Sequence, residues 1–289
     1  MIGIILPLLA ALAFSFAVIL IKKSDEAVPI PTAFTITLIG FAIFWPITIL
    51  FTNLEAINLE ALVYFAVAGI LHPGIGRLLY YRGMDVVGVS VNASVFATYP
   101  MYSSILAVLF LGDALTPENW LGIICIVIGV VLIGRVLGGD QTESKATLRS
   151  GLIFPLLASL IVAIGHVVRK QGLNINNEPL LGVSVGYSLS LLLYLLLAFL
   201  SRNVRRSISL SRDFRLFWKA GVCMSLGWIL YFYGLSQERV SIVTSLKETE
   251  PLFVLLLTFA YLKESEPLSI KLVLSTILVV AGILLVSFF

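Results

Sequence analysis

Charged residues are scarce in this chain. Asp, Glu, Lys and Arg make up 12% of its 289 residues and 59% are hydrophobic, and the mean hydropathy is +1.05. A soluble domain carries about twice that charged fraction, so the predicted solvent is a lipid bilayer rather than water. The net charge is only +3 and no Lys/Arg tract occurs, which argues against a nucleic-acid partner.

Residues that build cofactor or catalytic sites are also few. Cys125 and Cys223 each lie in an apolar segment, and two such cysteines make neither a disulfide framework nor a metal motif. The chain has no Walker motif, so ATP is not the expected energy source. A nucleophile-elbow pattern at 182–186 lies inside an apolar span, where small residues are typical of a helix contact. The sequence therefore predicts no metal, no cofactor and no enzymatic activity.

What the chain does contain is a repeat. Residues 3–10 read Gly-Ile-Ile-Leu-Pro-Leu-Leu-Ala, and residues 151–158 read Gly-Leu-Ile-Phe-Pro-Leu-Leu-Ala. Each copy holds five apolar spans, and because five is odd the second copy must cross the membrane in the opposite direction. This pattern is typical of an inverted-repeat transporter. Further recurring pairs are Gly83 and Gly234, Thr98 and Thr249, Pro100 and Pro251, and Gly129 and Gly282.

We therefore predict an all-α integral membrane protein with ten transmembrane helices. Its units are a first five-helix repeat at 1–137, a connecting loop at 138–150 and a second repeat at 151–289. Each span is close to the ~20 residues that cross the hydrocarbon core. Several predicted starts coincide with proline, which costs no hydrogen bond there: Pro29, Pro31, Pro117, Pro179 and Pro267. The predicted helices are 2–21, 31–51, 59–80, 88–111, 118–137, 151–170, 180–200, 215–235, 240–262 and 268–288.

Lysine and arginine are unequally distributed between the loops. Fifteen of the 19 lie in or beside the loops after odd-numbered spans, and six of those fifteen belong to the segment 202–219. Positive charge favours the cytoplasmic side, so the count predicts both termini outside. The predicted location is the cell (inner or plasma) membrane, with several passes.

The end of each half follows a common pattern. A helix of small residues leads to a mid-helix proline, then to an apolar run that ends in an acidic residue, and then to a last helix with glycine. The first half carries it as Val89-Ser90, Tyr99-Pro100, Leu111-Gly112-Asp113, Gly122 and Gly129. The second half carries it as Val240-Ser241, Glu250-Pro251, Lys263-Glu264 and Ala281-Gly282.

In this pattern the whole chain resembles the EamA-type ten-helix exporters of the drug/metabolite transporter superfamily. The resemblance implies two five-helix repeats and a small organic substrate, such as an amino acid or a related compound, that is moved outward. It also implies cytoplasmic termini, opposite to the charge count, so both orientations stay open. The fifth and tenth helices are expected to pack the halves together.

Pro100 and Pro251 mark the candidate site. Each lies at the centre of its span, where proline removes a hydrogen bond and clashes with the carbonyl four residues earlier. Interrupted helices at corresponding positions of inverted halves indicate a binding site at the bilayer midplane. The alternative is a kink that only shapes packing.

Lys247, Glu248 and Glu250 place three ionisable groups in the ninth span, whereas the equivalent positions of the first half are uncharged. Charged groups at this depth are costly unless paired or hydrated. Lys247 and Glu250 are three residues apart on one helical face, so they can pair. We expect all three to line a substrate cavity, with Glu250 a candidate for carrying a coupling proton. The alternative is that Lys247 and Glu248 extend to the nearer membrane surface.

Histidine and aromatic residues complete the candidate list. His72 and His166 lie within spans and suit a proton relay or a substrate contact, although packing roles are an alternative. Aromatic rings offer apolar area with a polar end, and the candidates are Tyr80, Tyr99, Tyr102, Trp228 and Tyr231. Three cations are expected near the membrane surface: Arg77 by extending along its helix, and Arg169 and Lys170 at a helix end.

The sequence thus favours a secondary transporter whose central cavity is lined by helices 1, 3, 4, 6, 8 and 9. Its expected partners are a small-molecule substrate and membrane lipid, with proton coupling and simple exchange both open. The alternatives are an intramembrane enzyme, which two scattered histidines support poorly, and a lipid-handling or other non-transport membrane protein.

Overall fold

Helices form the framework of this protein. The computed structural model describes residues 2–22, 29–53, 57–87, 92, 95–138, 151–261 and 270–288, and these contain no strand. The predicted all-α class is confirmed. A π-helical segment, Ile70–Ile75, joins α3 to α4. The α-helices are α1 Ile2–Lys22, α2 Pro29–Phe51, α3 Leu59–Gly69, α4 Gly76–Val87, α5 Tyr99–Leu111, α6 Pro117–Gly138, α7 Ile153–Ile175, α8 Pro179–Leu200, α9 Arg202–Ser207, α10 Leu210–Gln237, α11 Val240–Lys247, α12 Glu250–Tyr261 and α13 Ile270–Phe288.

The outer surface of the bundle is apolar. Six of the described helices are long and apolar enough to cross a bilayer, and three shorter ones are apolar as well. Leu50, Phe51 and Phe199 are 75%, 76% and 80% exposed, which suits contact with lipid rather than water. The structure is that of a membrane protein with several spans. The number ten stays a prediction, because 88–91, 93–94 and 262–269 lie outside the described residues.

Several helix boundaries differ from the predicted ones. Pro29, Pro117 and Pro179 do begin helices, as expected. The segment 201–214, which lies between two predicted helices, contains α9, which the Ser201 hydroxyl caps by accepting from the amide of Val204. Ser, which satisfies free amides at a helix start, is a common signal for such a helix.

The fifth helices of the two predicted repeats, α6 and α13, are packed backbone to backbone. A Cβ placed on Gly282 would lie 2.7 Å from the carbonyl oxygen of Gly122, and one on Gly129 would lie 3.0 Å from that of Ser275. Numbering rises along α6 as it falls along α13, so the two equivalent helices are antiparallel. The predicted packing of the fifth helix against the tenth is thereby confirmed, and glycines form the contact.

A second pair of contacts repeats the same relation. Gly83 of α4 packs against Pro155 of α7, and Gly234 of α10 packs against Pro7 of α1, with Cβ-to-Cδ distances of 3.1 and 3.0 Å. All four residues belong to the recurring pairs of the sequence. Each contact joins a glycine of one half to a proline of the other, and the two contacts use equivalent residues of the two copies. Two inverted repeats are expected to show such reciprocal contacts.

The helices that contain Pro100 and Pro251 are interrupted at equivalent residues. Turns at 97–98 and 248–249 precede α5 and α12. In the first turn, the amide and the hydroxyl of Thr98 both donate to the carbonyl oxygen of Val95, at 3.2 and 2.6 Å. In the second turn, the amide and the hydroxyl of Thr249 donate to the carbonyl oxygen of Leu246, at 3.2 and 2.7 Å. Each turn lies two residues before the proline, and a binding site at this pair of prolines stays a prediction.

Cysteine labelling tests the inversion. Asn53 after α2 and Arg202 after α8 are exposed and occupy equivalent positions of the two copies. In a background with Cys125 and Cys223 replaced by Ala, we expect a membrane-impermeant maleimide to label only one of Asn53→Cys and Arg202→Cys in intact cells. The other should react after permeabilisation. The charge count predicts that Asn53→Cys is the outward one, and labelling of both from one side would contradict the inversion.

The glycine contact between α6 and α13 predicts a sharp positional effect on stability. Gly282→Val forces its side chain against the Gly122 carbonyl, which belongs to a helix backbone and cannot yield. We expect a loss of about 1–3 kcal/mol from overpacking, seen as a lower melting temperature in detergent. Ala281→Val adds similar bulk at an exposed position and is the matched control. Equal melting temperatures for the two variants would overturn this account.

Candidate substrate site

Polar and aromatic side chains from six predicted spans meet in the interior of the bundle. This group, termed the central polar cluster, is largely buried: Arg169 is 2% exposed and Glu248 is 6% exposed, whereas the side chains of Lys247 and Glu250 are partly exposed. The same six spans were expected to line the cavity. The members are Phe14 and Ser15 of α1, His72 at the α3–α4 junction, Tyr99 of α5, His166 and Arg169 of α7, Trp228 and Tyr231 of α10, Lys247 of α11, Glu248 of the following turn and Glu250 of α12.

The helix interruption brings three charged groups together. Lys247 Nζ lies 3.0 Å from Glu250 Oε2 and 3.5 Å from Glu248 Oε2, so the predicted pairing with Glu250 is confirmed. The ammonium also lies over the rings of Phe14 and Tyr99, at 5.3 and 5.8 Å from their centroids. These contacts point inward, so the alternative in which Lys247 and Glu248 reach the membrane surface is wrong. A role in substrate binding stays a prediction for all three.

Arg169 was expected at the interface, and that expectation is wrong. Its Nη1 lies 2.8 Å from His166 Nδ1, and its Nη2 donates to the backbone oxygen of His72 at 2.7 Å. The guanidinium also lies over Trp228, 5.2 Å from the ring centroid. Its spacing of three residues from His166 places both on one helical face, and this was the signal in the sequence that could have found it.

His166 is held as a hydrogen-bond acceptor. A guanidinium can only donate, so the Nδ1 of His166 accepts from Arg169 and carries no proton in this arrangement. The hydroxyl of Tyr231 lies 2.6 Å from the same nitrogen. The geometry therefore gives His166 a binding or positioning role and does not favour a proton relay through this nitrogen.

The backbone at His72 leaves the helical conformation, with φ −152° and ψ 122°. Non-helical backbone at membrane depth requires other partners for its carbonyl groups. Arg169 takes the carbonyl of His72, and the hydroxyl of Tyr194 takes that of Pro73 at 2.7 Å. The interruption of the third span is thus stabilised by side chains of α7 and α8.

Aromatic rings form one wall of the cluster. Trp228 contacts the rings of Phe14, His72 and Tyr231 at centroid distances of 5.7, 5.3 and 5.5 Å. The ring of Tyr99 lies 5.4 Å from that of His166. Trp228 and Tyr99, both predicted from sequence, therefore belong to the cluster.

Two predicted aromatic residues lie further out. Tyr80 contacts the ring of Phe96 at 4.7 Å, and Phe96 in turn contacts Tyr99 at 5.3 Å. Tyr80 is thus one ring removed from the cluster. Tyr102 is half-buried on α5.

Arg77 and Lys170 were also expected near the membrane surface. Arg77 donates to the buried hydroxyl of Thr37 at 3.3 Å, so its expected extension to the surface is wrong. Lys170 is half-buried and donates to the carbonyl oxygens of Leu235 and Glu238, at 2.6 and 3.0 Å. It therefore caps the carboxyl end of α10, where cations are favoured.

One end of the bundle is closed by polar contacts between the two halves. Ser241 donates to Asp113 Oδ2 at 3.1 Å, and the guanidinium of Arg239 bonds the carbonyl oxygen of Ala114. We term these contacts the end latch. The equivalents of Asp113 and Ser241 in the other half, Glu264 and Ser90, lie outside the described residues.

Several buried polar atoms of the cluster have no hydrogen-bond partner among the described residues. Leaving such an atom unpaired is costly in a packed interior, so their concentration here marks a place where a ligand can supply the missing contacts. No group of three or more His, Cys, Asp or Glu in the described residues, within the cluster or outside it, is placed to hold a metal. The atoms without a hydrogen bond to any described residue are His72 Nδ1, Tyr99 Oη, Arg169 Nε and Trp228 Nε1, while Glu248 Oε2 has only its ionic contact with Lys247 Nζ.

A helical membrane bundle with paired helix interruptions around a buried polar cluster has the architecture of a transporter. The model of the EamA-like transporter family matches residues 1–135 and 149–288, so the chain belongs to that family. The resemblance inferred from the sequence is confirmed. The family consists of membrane transporters of small molecules rather than enzymes.

Two curated relatives match parts of the chain. "Uncharacterized transporter YwfM" of Bacillus subtilis is 27% identical over 78 residues, which cover 27% of this chain and 26% of that protein. "Uncharacterized protein MJ1333.1" of Methanocaldococcus jannaschii is 26% identical over 131 residues, which cover 45% of this chain and 95% of that protein. The chain therefore spans about a quarter of the length of the first relative.

A solved crystal structure shares the fold. Its TM-score is 0.77 at 17% identity, over 99% of this chain and 96% of the other. At this identity the likeness concerns the fold alone.

Removal of Lys247 and removal of Glu250 should affect stability unequally. Lys247→Met leaves the carboxylates of Glu248 and Glu250 together without their cation, whereas Glu250→Gln keeps the contact between Lys247 and Glu248. Breaking a buried pair costs about 3–5 kcal/mol, and the partial exposure of these side chains favours the lower end. We expect Lys247→Met to melt at a clearly lower temperature than Glu250→Gln, and the double variant to melt above Lys247→Met. Equal losses in both single variants would contradict the charge arrangement.

Proposed function

We propose that the protein is a secondary active transporter that moves a small organic metabolite by alternating access. Amino acids and related compounds are the first candidates, and export is the proposed direction. The observation that carries the proposal is the pair of equivalent helix interruptions, at 97–98 and 248–249, beside a buried polar cluster between the halves. Binding at such a place leaves each half free to open one end of the site.

Two repeats, 1–137 and 151–289, joined by 138–150, are part of this proposal. Equivalent residues make equivalent contacts across the halves, as at Gly83 and Gly234. The family model matches twice, with 136–148 between the matches. The relative from Methanocaldococcus, which aligns over 95% of its own length to 45% of this chain, has the size expected of a single repeat.

The end latch supports alternating access. It joins the α5–α6 connection of the first half to the start of α11 in the second, through Asp113, Ser241 and Arg239. Hydrogen bonds near a solvent-accessible end are weak enough individually to break and re-form, each contributing about 0.5–1.5 kcal/mol. Opening of this end requires these contacts to separate.

Coupling by protons and simple exchange of substrates are both compatible with the cluster. Glu250 is the proposed proton carrier, because its carboxylate pairs with Lys247 and its side chain retains 20% exposure. A carboxylate that alternates between an ammonium partner and a proton can link substrate movement to a pH gradient.

Uptake into sealed liposomes tests the proposal. Purified protein should accumulate at least one of a panel of radiolabelled amino acids and related metabolites above protein-free liposomes, with and without a pH gradient. Accumulation that follows the gradient supports proton coupling, and accumulation only with substrate inside supports exchange. Hydrolytic turnover without accumulation favours the intramembrane enzyme. Lipid movement without solute uptake favours the lipid-handling alternative.

Glu250→Gln tests the proposed proton carrier. We expect the variant to remain folded, because Lys247 keeps Glu248 as its partner, but to lose transport or its dependence on the pH gradient. Elution by size-exclusion chromatography controls for folding. Full, gradient-dependent transport by the variant would remove Glu250 from the mechanism.

A further inference from the structure

Arg169 is a buried cation whose counter-charge does not come from its described neighbours. Its two Nη atoms bond neutral groups, the Nδ1 of His166 and the carbonyl of His72, and its Nε has no hydrogen-bond partner within the described part of the chain. Of the carboxylates near the cluster, Glu238 pairs with Arg239, and Glu248 and Glu250 pair with Lys247, so none of these ion pairs involves Arg169. A buried guanidinium held by neutral partners keeps an uncompensated charge.

The carboxylates of the cluster lie elsewhere. Glu248 and Glu250 both contact Lys247, so that group carries one negative charge in excess when both are ionised. The ring of Tyr99 stands between the two ends, 5.4 Å from the ring of His166 and 5.8 Å from Lys247 Nζ. The cluster is therefore polarised, with a lone cation on α7 and an acidic end at the interruption before α12.

Neutral donors accompany Arg169 at its end of the cluster. The indole of Trp228 lies beneath the guanidinium, at 5.2 Å, and its Nε1–H forms no hydrogen bond with any described residue. The same holds for the hydroxyl of Tyr99, whose ring lies against His166, the residue that bonds Arg169. An anionic group seated on Arg169 would find further N–H and O–H donors on these side chains.

We propose that Arg169 binds the carboxylate of the substrate, and that an organic carboxylate is therefore the class of compound this site requires. The inference rests on the proposed function and assigns the residue that recognises the substrate. Guanidinium is planar and matches carboxylate geometry, and the rings of Trp228 and Phe232 fix its plane at 5.2 and 4.9 Å. A phosphate dianion is a poorer match, because the cluster's other cation, Lys247, is already held by two carboxylates.

The alternative is that Arg169 has a purely structural role and only stabilises the interrupted backbone at His72. Both roles predict that large changes at Arg169 disturb folding, so stability alone does not separate them. A preference for an acid over its neutral amide separates the two roles, because a residue that only supports the backbone has no influence on which of two isosteric ligands binds.

The experiment therefore uses matched acid and amide probes. Purified protein is heated with L-leucine, L-phenylalanine, L-lactate or benzoate, each compared with its primary amide, and uptake of the same radiolabelled pairs is measured in liposomes. We expect at least one acid to stabilise the protein and to enter at least tenfold better than its amide. Arg169→Gln should reduce this ratio to about one. Arg169→Lys, which keeps the charge but not the planar fork, should keep the preference with a Kd raised tenfold or more.

Arg202→Gln removes an exposed cation outside the cluster and should leave the ratio unchanged. A folded Arg169→Gln that still prefers the acid overturns the inference. If that variant does not fold, an unchanged Kd for the acid in Arg169→Lys overturns it, and the tenfold weakening supports it. Uptake without acid preference in the wild-type protein defeats the inference but leaves the proposed function standing. Acid-selective stabilisation without uptake supports the inference about Arg169 but contradicts the proposed transport function. If the protein shows neither uptake nor acid-selective stabilisation, the inference and the proposed function are both overturned.

Discussion

The need to satisfy backbone hydrogen bonds in hydrocarbon constrains this structure more than any other factor. Helices meet that need along most of the chain, and each interruption requires an alternative partner. The threonine hydroxyls at 98 and 249 bond the carbonyls beside their own turns. At the third span, Arg169 and Tyr194 take the freed carbonyls of His72 and Pro73. At these three interruptions the freed backbone groups are paired inside the bundle, and Arg169, which completes one of them, also belongs to the central polar cluster.

The two halves share a scaffold and differ in chemistry. Equivalent helix pairs pack alike at Gly122 and Gly282 and at Gly83 and Gly234. The charged residues of the interruption occur only in the second half, however, where Lys247 and Glu248 stand at positions that Phe96 and Ala97 occupy in the first. The packing contacts are therefore alike in the two halves, whereas the charged residues beside the interruption are not.

Much of the architecture is predictable from the sequence because its causes are local or repetitive. Long apolar runs indicate spans, prolines indicate helix starts and interruptions, and an odd number of spans per copy requires inversion. The repeated glycines even identify the contact between α6 and α13. These features depend on spacing along the chain, which the sequence displays directly.

The candidate site is predictable only in part. Lys247, Glu250, His72 and His166 stand out because ionisable groups within apolar spans are rare. Arg169 was missed because it follows a long apolar run and resembles an interfacial anchor; α7 continues to Ile175, which places it inside the bundle. Its partners are a carbonyl 97 residues away and an indole on α10, and no local pattern reveals such distant contacts.

The meeting of α6 and α13 has a mechanical consequence. At this seam the glycines let the two backbones approach closely, while Ile126, Val279 and Val286 pack directly against them. A rotation centred here would displace the seam least and the far helix ends most. Gly122, Gly129 and Gly282 would then lie at the pivot of the motion. A larger side chain at one of them would hinder this rotation even if the protein still folded.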